Sequence, residues 1–170
     1  MKRYAYKSPA KPTSGDRSAA NPLFAQGRED QNAKRYQDAI RAYQAALEKD
    51  PAFYEAQYNL GLAHSQTGNK PAGLVAYEAA LAIDGKSLDA RRNFALLLSE
   101  SGYPLDAAHE FGTVIAEHPK DAGAELGLAN VYAQQLKQPA AARQHYLRVL
   151  ELEPKHIQAD SIRRWLVSNP

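Results

Sequence analysis

Apolar and polar positions alternate along this chain in a helical rhythm, and the rhythm repeats. Ala39, Tyr43 and Ala46 stand at i, i+4 and i+7, followed thirty-four residues on by Gly73, Tyr77 and Ala80. Ala107, Phe111 and Val114 come after another thirty-four, and Ala142, Tyr146 and Val149 after thirty-five. This spacing places a small residue, an aromatic ring and a small or branched residue on one face of a helix. Upstream of each copy lies a second helical pattern, marked by the pairs Gln26-Gly27, Leu60-Gly61, Phe94-Ala95 and Leu128-Ala129. The small second member predicts a close approach of two helices. No strand is predicted.

Punctuation falls at matching offsets. Pro51, Gly85, Pro119 and Pro154 follow the second helix of each copy. Proline stops a helix because it lacks an N–H and clashes with the preceding turn. Gly85 is expected to stop it by adopting backbone angles closed to other residues. Gly68 and Gly102 sit at equivalent places in the turns between helices, and Pro71, Pro104 and Pro139 fall near the starts of second helices, where proline is tolerated. The fourth copy carries one extra residue, expected in the turn near Leu136-Lys137-Gln138-Pro139.

The ends read differently. Ala159, Ile162, Trp165 and Leu166 share one face of a further helix over 156–167, with Asp160, Arg163 and Arg164 pointing elsewhere. A stack of repeats leaves an apolar end that such a helix would cover. Residues 1–19 contain prolines, serines and five basic side chains without apolar periodicity, a composition that does not fold alone. This segment is expected to be disordered or ordered by a partner.

The pattern resembles the tetratricopeptide repeat (TPR) family, whose unit is a helix-turn-helix of about 34 residues. The copy from Tyr54 to Ser87, with its run Ala56-Gln57-Tyr58-Asn59-Leu60-Gly61-Leu62-Ala63 and then Tyr77 and Ala80, carries the likeness best. Repeats are placed at 20–53, 54–87, 88–121 and 122–156, with a capping helix at 157–170 and the tail at 1–19. The sequence departs from the family where a tryptophan is usual, holding Leu23, Gln57, Arg91 and Glu125, and at the usual tyrosine, where Asp30, His64, Leu98 and Tyr132 stand. The resemblance implies an all-α fold, a right-handed superhelix of about four repeats whose first helices line a concave groove.

On that implication Tyr58, Asn59, Leu62, Ser65 and Gln66 face the groove in repeat two, and Arg92, Asn93, Leu96, Ser99 and Glu100 in repeat three. Repeat four adds Leu126, Asn130 and Gln134, and repeat one Phe24 and Arg28. Asn59 and Asn93 share one repeat position, and carboxamides there would donate to and accept from the backbone of an extended peptide. Tyr58 and Arg92, at the neighbouring position, would add stacking or carboxylate contacts. A subclass of the family clamps the terminal carboxylates of chaperone tails with lysine, arginine and asparagine. The matching positions here hold Phe24, Arg28, Asn59, Asp89 and Asn93 or, one repeat on, Tyr58, Leu62, Asn93, Gly123 and Gly127. Most of the cations are missing, so a chaperone clamp is not expected.

Composition narrows the classes further. Of 170 residues, 44% are apolar and 24% charged, with net charge +2. Residues 1–19 carry +4 of it, through Lys2, Arg3, Lys7, Lys11 and Arg17 against Asp16, leaving −2 for the remainder. The basic, aromatic run at Lys2, Arg3, Tyr4, Tyr6 and Lys7 is a candidate docking element, but no specific nucleic-acid partner is expected. There are no cysteines, which excludes disulfides, thiolate metal sites and a cysteine nucleophile. No histidines pair at helical i, i+4 spacing, no acidic pair is poised for acid/base work, and no phosphate loop follows a strand. No cofactor, metal or catalytic residue is therefore expected. Lacking an apolar signal core or spanning segment, the chain is expected to be soluble, with the cytoplasm as default. The expected function is a non-catalytic protein-interaction scaffold that binds a peptide or helix in its groove. The alternative is a structural subunit docked into a larger assembly through its tail and outer surface.

Overall fold

The computed structural model describes all 170 residues as an all-helical chain. Four helix pairs follow one another: α1 (Arg17–Asn32) with α2 (Tyr36–Lys49), α3 (Tyr54–Gln66) with α4 (Lys70–Ile83), α5 (Leu88–Glu100) with α6 (Pro104–Glu117), and α7 (Ala122–Asn130) with α8 (Pro139–Leu152). A π-helical turn, Val131–Leu136, continues α7, and α9 (Ala159–Ser168) ends the chain. The chain divides into two compact units. One is Ala5–Asn93; the other is Phe94–Pro170 together with Met1–Tyr4.

The repeating face is the core. All twelve positions of the small–aromatic–small pattern are buried, from Ala39, Tyr43 and Ala46 to Ala142, Tyr146 and Val149. The rings lie against small residues of the first helices. A Cβ on Gly27 would stand 2.6 Å from the Tyr43 ring, and one on Gly61 would stand 2.7 Å from the Tyr77 ring. These distances are shorter than carbon atoms tolerate, so here glycine sets the interhelical distance. In the first unit Ala39, Ile40, Tyr43, Leu60, Ala63 and Ala76 form one cluster. In the second, Ala129, Ala142, Tyr146, Val149 and Ile162 form another.

Each turn between paired helices contains one left-handed residue: Lys34 (φ 60°), Gly68 (φ 75°), Gly102 (φ 78°) and Lys137 (φ 56°). In the first three turns the N–H of the following residue bonds a carbonyl five residues back: Arg35 to Asp30, Asn69 to His64 and Tyr103 to Leu98. This is the longer bond of a Schellman stop. In the fourth, Gln138 reaches six back to Tyr132. The extra residue is thus absorbed within the helix, as the π-helical turn, and not in the loop where it was expected. The second helices end differently. Asp50, Asp84, His118 and Glu153 all leave helical geometry for extended angles, with φ from −129 to −137°. Gly85, after Asp84, is not left-handed. Its expected role is corrected: the helix is already broken at the preceding residue.

At the C-terminal end, α9 buries Ala159 and Ile162, and its Trp165 ring lies 4.8 Å from that of Tyr146. Arg143 Nη1 donates to the carbonyls of Leu166 and Asn169 at 2.9 and 3.0 Å. The guanidinium on α8 thereby closes the open end of α9, where unpaired carbonyls carry partial negative charge.

Candidate functional site

Of the residues predicted to face a groove, one set lies within the Ala5–Asn93 unit. On α3, Tyr58, Asn59 and Leu62 are half-buried and Gln66 is exposed, and Arg92 and Asn93, on the first turns of α5, are half-buried. Asn93, thirty-five residues on from Tyr58, stands against it, and its Nδ2 donates to the phenol oxygen at 2.8 Å. Tyr54 stacks on Tyr58 at 6.1 Å, and Tyr58 in turn lies 6.1 Å from Tyr77. Burial, reinforced by Asp89 and Tyr54, pushes the Tyr58 hydroxyl above its ordinary range, so it stays neutral. Arg92 pairs with Asp89 at 2.8 Å.

Asn59 spends an amide hydrogen on the Glu55 carbonyl of its own helix at 2.7 Å. Each asparagine thus has one amide hydrogen engaged, which orients its carboxamide and leaves the carbonyl oxygen and the second N–H to offer a ligand. In the other unit Leu96 is exposed. Asn130 Oδ1 accepts from the Tyr146 hydroxyl at 2.7 Å, tying α7 to α8. Tyr43 makes the same kind of bond to Gln31 Oε1. That pairing is hard to see in sequence, because the partners lie on different helices.

The first fifteen residues form no helix, and their contacts were not legible in the sequence. Within the second unit, Arg3 Nε donates to Asp106 Oδ1 at 2.9 Å and the Tyr4 N–H to Oδ2 at 2.8 Å. Asp106 is fully buried. Tyr4 meets Phe94 and Tyr103 edge-on at 5.7 and 5.4 Å, and the Lys2 ammonium lies 4.7 Å above the Tyr103 ring. Within the first unit the Ser8 N–H donates to buried Glu78 at 2.7 Å. The Gly15 N–H and Arg17 Nε donate to buried Asp50 at 2.9 and 2.6 Å. The Gly15 bond above all holds the Asp50 carboxyl below the usual range. Of the remaining tail candidates, Lys7 is exposed and Tyr6 largely so.

The histidines do not gather. His64 is buried in α3, where desolvation lowers its pKa. His145 faces Glu125 at 2.6 Å and stacks on Tyr132. No three histidine or carboxylate side chains come together to hold a metal. No helix is long and apolar enough to cross a membrane.

Two family models, both described as tetratricopeptide repeat, match residues 24–87 and 98–166. The peroxisomal targeting signal receptor of Saccharomyces cerevisiae is 30% identical over 77 residues, which is 45% of this chain and only 13% of the receptor's length. Among solved structures, YrrB, described as a TPR protein with an unusual peptide-binding site, is similar with TM-score 0.79 at 20% identity, over 86% of this chain and 75% of that one. A tetratricopeptide repeat protein from Parabacteroides merdae is similar with TM-score 0.80 at 24% identity, over 88% and 59%. MamA gives TM-score 0.80 at 19% identity, over 89% and 88%. At those identities the likeness is one of fold. With the four helix pairs and their repeating core, these matches place the chain in the all-α superhelical-repeat fold class, and it belongs to the tetratricopeptide repeat family.

Proposed function

We propose that this chain is a non-catalytic scaffold that binds an extended segment of a protein partner on the face formed by Tyr58, Asn59, Leu62, Gln66, Arg92 and Asn93. The family's role as a protein-interaction scaffold is the frame for this reading. The observation that carries it is the Tyr58–Asn93 hydrogen bond between successive repeats. That bond fixes one carboxamide, and the bond from Asn59 to Glu55 fixes the other. Two oriented carbonyl oxygens are then ready to accept backbone N–H groups without reading side chains. Orientation before binding reduces the entropy lost on association. Tyr58 supplies a rigid ring beside them and Leu62 an apolar contact, while Arg92, paired with Asp89, offers a guanidinium to a ligand carboxylate.

The test uses peptides selected on the wild-type chain from a random display library. Replacing both Asn59 and Asn93 by alanine removes two acceptors, each contributing about 0.5–1.5 kcal/mol. The selected peptides should therefore bind the double variant roughly five- to hundredfold more weakly. Unchanged affinity on a folded double variant would refute the reading.

A further inference from the structure

Lys2, Arg3 and Tyr4 are bound to the body of the protein in the manner of a ligand. Asp106 sits in the first turn of α6 with its side chain 1% exposed. The donors it receives come from Arg3 and Tyr4: Nε and Nη2 of the guanidinium on Oδ1, and the peptide N–H on Oδ2. Arg3 itself stays 64% exposed, so it is held by its head group and not by packing. Tyr4 fills the space between Phe94 and Tyr103, and Lys2 covers the outer face of Tyr103. Three successive residues are thus read by three features: a cation by a ring face, a guanidinium by a buried carboxylate, and an aromatic ring by two ring edges.

A buried carboxylate without its donors is costly. Asp106 is therefore tolerable in this position only with an occupant or with water admitted to it. The occupant is not part of any helix. We infer that Asp106, Phe94 and Tyr103 form a peptide-binding site for an extended basic–arginine–aromatic segment, and that Lys2-Arg3-Tyr4 is its built-in competitor. The site uses none of the residues of the Asn59–Asn93 face.

Tethering gives the chain's own segment an effective concentration of the order of millimolar. A segment of the same chemistry presented in trans at micromolar concentration is then excluded until the tether's contacts are weakened. Its apparent affinity scales with the fraction of sites left open.

The probe is a fluorescein-labelled peptide with the sequence of residues 1–8, titrated by anisotropy into the full-length chain. Arg3→Ala with Tyr4→Ala disables the internal segment and leaves the site intact. The peptide should bind this double variant about tenfold or more tighter than wild type. Adding Asp106→Asn should abolish the gain, as should adding Tyr103→Ala, which alters a half-buried ring and guards against a folding defect at Asp106. Equal binding to wild type and the double variant would overturn the inference. So would absence of binding to a double variant that circular dichroism shows folded, or binding that survives both added substitutions. Asn59→Ala with Asn93→Ala should leave this titration unchanged, so the two sites fail or stand separately.

Discussion

The two ends of the chain are held by opposite chemistry. At the C-terminal end an amphipathic helix lays Ile162, Trp165 and Leu166 on α8, and Arg143 takes the last carbonyls. At the N-terminal end backbone N–H groups reach buried carboxylates: Tyr4 to Asp106, Ser8 to Glu78 and Gly15 to Asp50. The first arrangement is mainly apolar, with one guanidinium added. The second is polar and titratable, and most of its side chains remain exposed. The difference teaches that a helix-free segment can be ordered with little more than the Tyr4 ring packed, provided that the acceptors are supplied by the body it lies on.

The largest expected effect comes from breaking the apolar end. Trp165→Ala removes a half-buried indole and should cost about 2–4 kcal/mol, read as accelerated amide exchange throughout α9 with α1–α4 unaffected. Arg143→Ala should follow at about 1–3 kcal/mol, because two carbonyls lose a charged donor. Its signature is exchange confined to the last turn of α9. At the other end, a Cβ on Gly15 would lie 2.2 Å from the Lys49 carbonyl oxygen. Gly15→Ala should therefore detach residues 15–17 from Asp50 at about 1–2 kcal/mol, again read by amide exchange, with α9 unmoved.

Acid should separate the ends without mutation. The Asp50 pKa is depressed in the folded state. Its contribution is thus fully present above the unfolded value near ~4 and lost as pH falls through the lower folded value. As pH falls below about 4, exchange at residues 15–17 should rise first, while emission from Trp165, the sole tryptophan, reports an intact α9. Simultaneous loss of both would show that the ends are not independent. The smallest effect is a gain. Lys137 holds a left-handed conformation that Gly68 and Gly102 hold in their own turns. Lys137→Gly should stabilise the chain by about 0.5–1 kcal/mol, measured as a raised denaturation midpoint.

The same contrast explains what could be read in the sequence. The four repeats and α9 were legible because side-chain periodicity encodes a packed face: the repeat faces are buried, and α9 buries Ala159 and Ile162 and half-buries Trp165 and Leu166. The anchoring of residues 1–15 was not, because its donors are mostly peptide N–H groups, which any residue but proline carries. Its acceptors, Asp50, Glu78 and Asp106, come from other helices with no local sign of their use. Asn59 and Asn93 were legible as a register of thirty-four, but not the engagement of Asn59 with Glu55 or of Asn93 with Tyr58. Those bonds depend on the helical turn beneath one residue and on the neighbouring repeat beside the other.

The π-helical turn at Val131–Leu136 has a further consequence for how this protein can change over generations. An added residue in the chain is not an added residue in the spacing of its packed faces: one widened turn takes up the slack, and Tyr146 still reaches Asn130. Length and packing register are thereby decoupled at this place. A single deletion there has a ready destination, an ordinary α-helical turn, while α8 keeps its seat. The period of thirty-four is a property of the stacked faces, and the chain can miscount by one without the stack losing its step.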